Sequence, residues 1–117
     1  MARPSRSIRR LAISLALTVS GLGLVAFEAR GAAPAAAAVQ IKDFAFAPQV
    51  LTVRPGTTVT WVNGDEDPHT VTATDKSFHS AALDTRDKFS FTFTKAGQYG
   101  YFCALHPHMT AKVIVRG

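Results

Sequence analysis

The stretch YFCALHPHMTAKVIV, from Tyr101 to Val115, places Cys103, His106, His108 and Met109 on one short loop. Cys103 is the sole cysteine, and Met109 is the sole methionine after the initiator. The two imidazoles are half of the chain's four histidines. Thiolate, imidazole and thioether donors together select soft or borderline metals, copper above all. The loop has no carboxylate, which argues against calcium and magnesium, whose ligands are oxygens. Its spacing is C-x-x-H-x-x-M, and a tight turn can aim donors three residues apart at one centre. Pro107 stiffens the middle of that turn.

Three donors leave such a centre one short. His69, in the segment DEDPHTV, is the natural fourth. Two histidines and a cysteine in a plane, with a weak axial methionine, form the blue-copper arrangement. The bland alternatives are a buried thiol acting as a small hydrophobe, a surface loop histidine and a methionine packed in the core. The joint spacing of Cys103, His106 and Met109 weighs against them. His108 competes with His106 for the metal. It adjoins Met109, however, and consecutive residues rarely aim both side chains at one small ion. His108 is therefore placed outside the ligand set, as a titratable ring beside it. His79 has no partner in the sequence and is read as solvent-facing.

The elements that must position these donors are strands. After residue 38, runs rich in Val, Ile, Thr and Phe are separated by Pro, Gly, Asn and Asp. VQIKDFAF alternates with a slip near Asp43, the sign of a bulge or bend. In that alternation Val39 and Ile41, then Phe44 and Phe46, form the apolar face. TTVTWVN sets Val59 and Trp61 on one face, and KFSFTFT sets Phe89, Phe91 and Phe93 on one face. HTVTAT reads as a strand, QYGYFC as another and AKVIV as the last. Phe78 and Leu83 point inward from an irregular segment. Seven or eight short strands with regular turn signals predict an all-β sandwich or small barrel.

The first third of the chain differs. MARPSRSIRR carries four arginines without an acid, Leu11 to Phe27 carries no charge, and GAAPAAAAVQ is rich in small residues. That order is the layout of a secretory signal peptide, with A-x-A cleavage sites ending near Ala35 to Ala38. The expected organisation is a leader over residues 1–38 and one domain over residues 39–117. A retained anchor through residues 11–27 is the alternative. Only in that case does the chain meet a membrane. Arg9-Arg10 raises the twin-arginine route.

The whole chain carries 13 basic and 8 acidic residues, a net +5. Five of the basic residues precede Val39, and the remainder is close to neutral, so nothing points to nucleic acid. The expected location is the periplasm or the extracellular face. A domain of this size often needs a staple. A single cysteine cannot form an internal disulfide, which leaves a metal.

DFAFAPQVLTVRPGTTVTWVNGDEDPHTVTA followed by FTFTKAGQYGYFCALHPHM and KVIV resembles the type I copper proteins of the plastocyanin class, the cupredoxins. The ligand loop is most similar to the amicyanin type. The resemblance covers nearly all of residues 39–117. It implies an eight-stranded Greek-key sandwich with one copper ion near one end. It also implies one-electron transfer by a monomer, not enzymatic turnover. His106 is implied as the electron port, rimmed by Pro68, Ala104, Leu105 and Pro107. The partners are redox proteins met briefly over a small apolar contact. Asn63 and Thr70, with Pro107, are implied as supports behind the ligands. Relatives often carry Asn where this chain has Thr70, and its N–H and hydroxyl are expected to donate to the thiolate. Two rivals remain at this point. One is a copper carrier that delivers the metal and not electrons. The other is a Cys-His hydrolase, which would leave Met109 unexplained.

Overall fold

The computed structural model describes residues 35–117. The basic and apolar leader segments lie outside the described residues. Every regular element among them is a strand. In order these are β1 (Ala36–Lys42), β2 (Ala45–Ala47), β3 (Val50–Val53), β4 (Thr57–Asn63), β5 (Thr72–Ala73), β6 (Lys88–Phe93), β7 (Gly97–Phe102) and β8 (Thr110–Val115). No helix among the described residues is long and apolar enough to cross a membrane.

Two four-stranded sheets face each other, ordered β2-β1-β4-β6 and β3-β8-β7-β5. The β1–β4 and β3–β8 pairs are parallel and the rest antiparallel. This is the all-β Greek-key sandwich expected from the strand pattern and the resemblance. Period-2 alternation supplies its core. Val59 and Trp61 of β4, Phe93 of β6, Tyr101 of β7 and Val113 and Val115 of β8 all point inward and are buried. Phe78 and Leu83, on the irregular segment, are buried as expected. Trp61 sits at the centre, in ring contact with Phe78, Phe89, Phe93 and Tyr101.

Three details depart from the sequence reading. β1 begins at Ala36, three residues before the expected strand VQIKDFAF, with Ala36, Ala37 and Ala38 paired to Thr58, Val59 and Thr60. Alanine has low strand propensity, so its composition hid a strand that the partner β4 supplies. HTVTAT forms only the two-residue β5, because His69 is taken by an isolated bridge to Leu83. The slip near Asp43 is a two-residue hairpin turn between β1 and β2, with Lys42 opposite Ala45. Its residues, Asp43 and Phe44, both have left-handed backbone, at φ 53° and 56°. Phe44 is therefore 41% exposed and does not share the core face with the buried Phe46.

The turn between β4 and the site starts hard against β1. Gly64 donates to the Ile41 carbonyl at 2.7 Å, and a Cβ there would lie 3.1 Å from that oxygen. This close approach is why glycine follows Asn63.

One polar pair is buried inside the aromatic core. The Tyr101 hydroxyl and Trp61 Nε1 have no partner in hydrogen-bond geometry. Burial pushes the Tyr101 phenol up to about 12, although the nearby Trp61 N–H opposes the shift. In the unfolded chain this phenol ionises near pH 10, so the unfolded state then binds fewer protons than the native state. Stability is accordingly lost as pH rises from 10 to 12. In urea titrations of the apoprotein, Tyr101→Phe should remove about 2–3 kcal/mol of the fall that the wild type shows across that window.

Candidate metal centre

Three donors converge at one end of the sandwich. Cys103 Sγ lies 3.7 Å from His69 Nδ1 and 3.7 Å from His106 Nδ1, and all three donor atoms lie within 4.8 Å of one another. A metal bound to one sulfur at about 2.3 Å and one nitrogen at about 2.0 Å, 120° apart, requires an S···N separation of about 3.7 Å. The spacing thus suits a trigonal metal plane. Cys103 and His69 are fully buried, and His106 is partly exposed.

The loop after β7 holds its donors by its own backbone. His106 N donates to the Cys103 carbonyl at 3.2 Å and Met109 N to the His106 carbonyl at 2.9 Å. Cys103 N donates to the Met109 carbonyl at 3.1 Å. The three residues of the C-x-x-H-x-x-M spacing are therefore the residues that bond to one another. Met109 is buried beneath the turn. Pro107 and His108 stand on its exposed side. The His108 ring lies 6.4 Å from that of His106 and outside the donor cluster. His79 is exposed, also outside that cluster, and its backbone bridges to Thr72.

His69 arrives on the loop between β4 and β5, the strand that pairs with β7. Its backbone exchanges two hydrogen bonds with Leu83, at 3.1 and 2.7 Å. Asn63 fastens the same loop from below. Its side-chain amide donates to the carbonyls of Asp67 and Leu83 and its Oδ1 accepts from Asp65 N, all at 2.8–2.9 Å. Asn63 therefore touches the loop and not the thiolate. Thr70 touches the sulfur through its backbone, N to Cys103 Sγ at 3.3 Å. Its hydroxyl does not donate to the thiolate, contrary to the sequence expectation. It accepts from Ala104 N at 2.7 Å and pairs with the Thr72 hydroxyl. The hydroxyl thus links the two ligand-bearing loops.

Two residues at the site were missed by sequence reasoning. The Asp65 carboxylate bonds His69 Nε2 at 2.9 Å and accepts from the backbone N–H of Asp43 and Phe44. Burial pushes the Asp65 carboxyl up, but the Phe44, Asp43 and His69 donors outweigh it and hold it below the usual carboxylate value. With Nε2–H given to an anion, His69 keeps the lone pair on Nδ1 for a metal. The signal was present as an acid four residues before a histidine, but Asp65, Glu66 and Asp67 are adjacent and composition does not choose among them. Phe44 is the second. Its ring packs edge-on against His69 and His106, with centroids at 5.2 and 5.0 Å.

A soft sulfur and two imidazoles preset at trigonal spacing, with a buried thioether closing the turn, fit copper. Residues 33–116 match the copper binding proteins of the plastocyanin/azurin family. The chain belongs to that family. It is 35% identical over 85 residues to amicyanin of Paracoccus versutus, an alignment covering 68% of this chain and 64% of that protein. It is 37% identical over 94 residues to amicyanin of Paracoccus denitrificans, covering 76% of this chain and 72% of the other. Its fold is similar to that of a proline-to-alanine mutant of amicyanin in the oxidised state, with a TM-score of 0.67 at 33% identity over 73% of this chain and 86% of that one. In this family member His69, Cys103, His106 and Met109 form the type I copper site.

The hydrogen bonds of Asn63 make one prediction. Asn63→Ala removes three hydrogen bonds, two of them buried, each worth about 1 kcal/mol. The apoprotein should lose about 3 kcal/mol in urea denaturation, read as a lower midpoint with an unchanged slope.

Proposed function

We propose that this copper protein carries single electrons between exported redox proteins. The observation that carries this reading is the closed, preset donor cluster, of which His106 alone reaches the surface. Copper, when bound, supplies a one-electron couple. The chain's own residues supply the rest. Cys103, fully buried, keeps water from the sulfur, and the Thr70 N–H stabilises its charge. His69 is fixed at both its backbone and its Nε2, so it has little freedom to move between oxidation states.

His106 lies among exposed Pro68, Ala104, Leu105 and Pro107. Leu105 is 50% exposed, and Phe44 extends the same surface from the β1–β2 turn. An apolar patch of this kind suits brief contact with a redox partner and quick release. With four protein donors available to one ion and the Phe44 ring against both imidazoles, the site is closed to a substrate, which supports a carrier over an enzyme.

The proposed export rests on the leader, and the start of β1 favours one of its two candidate cleavage sites. Cutting after Ala38 would remove three residues that pair with β4, whereas cutting after Ala35 leaves β1 whole. The mature protein should therefore begin at Ala36, as intact-mass measurement of the exported chain would report. A mass beginning at Val39 would refute this assignment.

The main test is spectroscopic and kinetic. Cu(II)-loaded mature protein should show an intense blue band and narrow copper hyperfine splitting, both absent in Cys103→Ala. Electron self-exchange between oxidised and reduced protein should be fast and slow at least about tenfold in Leu105→Asp, because like charges then meet at the contact. A pale, tetragonal spectrum, or self-exchange indifferent to Leu105, would favour a copper carrier.

A further inference from the structure

The geometry points to Asp65 as a positioning residue that joins the His69 imidazole to the Asp43–Phe44 turn, so that one carboxylate orients a copper ligand and seats the ring that covers it. This inference rests on the copper reading above. Asp65 is only 7% exposed. Its Oδ1 accepts from Asp43 N at 2.7 Å, and its Oδ2 accepts from Phe44 N at 2.9 Å and from His69 Nε2 at 2.9 Å. Its own backbone is held in turn, with N donating to Asn63 Oδ1 and its carbonyl accepting from the Thr85 hydroxyl at 2.8 Å. The carboxylate cannot swing away without breaking contacts on both sides.

The turn it grips is strained in a way that core packing does not require. Two-residue hairpins of this hand ordinarily use Asn-Gly or Asp-Gly. Asp43 tolerates the left-handed region, but Phe44 is a bulky residue for which such backbone is unfavourable. A phenylalanine held there and left 41% exposed contributes little burial. What it gains is position, its edge resting against both ligand imidazoles. Strain kept by surrounding contacts at a site is evidence of a role there. The two N–H groups that Asp65 accepts are those of the strained pair, so the same anion stabilises the turn and the ligand tautomer.

Two consequences follow. The anion near His69 favours the more highly charged state of the site, so its loss raises the reduction potential. Phe44 shields the seam between the imidazoles, so its loss admits small ligands.

The test compares copper-loaded wild type, Asp65→Asn, Asp65→Glu and Phe44→Leu by reduction potential, visible spectrum and titration with azide. Asp65→Asn should keep a blue band while the ratio of Cu(II) to Cu(I) affinity falls about tenfold, a rise of about 59 mV for one electron. Asp65→Glu, which keeps the charge, should recover at least half of that shift. Phe44→Leu should let azide perturb the spectrum at concentrations that leave the wild type unchanged.

An unaltered potential in blue Asp65→Asn overturns the proposal, and so does azide resistance in Phe44→Leu. A wild type without a blue band refutes the copper reading instead. Should Asp65→Asn not fold, the reduced wild-type protein decides by NMR. The His69 Nε2 proton should resist exchange with solvent far longer than that of His106, and equal exchange overturns the proposal.

Discussion

A thiol sulfur and two imidazole nitrogens, 3.7 Å apart in two of three pairs, present their lone pairs to one small volume. Without a cation these groups gain little from one another, and two of the residues are shut away from water. Such a cluster persists only if other bonds hold each donor in place. The sandwich meets this demand by placing the donors where strands end. Cys103 follows β7 directly, Met109 precedes β8 directly, and His69 is pinned across the loop by Leu83. The stiffness of the sheets is thereby passed to the metal plane.

The hydrogen bonds between the loops extend this stiffness. Asn63 ties the 64–68 segment to Leu83, and the Thr70 hydroxyl ties the His69 loop to Ala104. Thr70 N–H meets the sulfur itself. These bonds are made by backbone and side-chain groups of the fold itself, so none of them needs the metal as a partner. Pre-organisation of this sort is what a one-electron site needs, because rearrangement between two oxidation states adds to the barrier. The apolar surface around His106 is equally a product of the loop, on which Leu105 stands half exposed beside Ala104 and Pro107.

Much of the site was legible in the chain. C-x-x-H-x-x-M and the P-H at residues 68–69 named four donors by chemistry alone, because only soft and borderline metals accept that set. The alternation of TTVTWVN and KFSFTFT gave β4 and β6 nearly residue for residue. The start of β1 was hidden by alanines, whose strand character comes from pairing with β4. The Thr70 hydroxyl was expected to donate to the sulfur, but it accepts from Ala104 N–H and pairs with the Thr72 hydroxyl.

The sequence by itself determined the donor set, the metal class, the strand pattern and the face each strand turns inward. These follow from residue type and from a period of two, both local properties. Only the tertiary structure decided which of three neighbouring acids meets His69, and that Phe44 leaves the core to rest on two imidazoles. Both depend on the left-handed turn at Asp43 and Phe44 and on a carboxylate more than twenty residues away in the chain. Long-range hydrogen bonds of that kind leave no periodic trace, because any acid in the loop would satisfy the composition and only one satisfies the geometry.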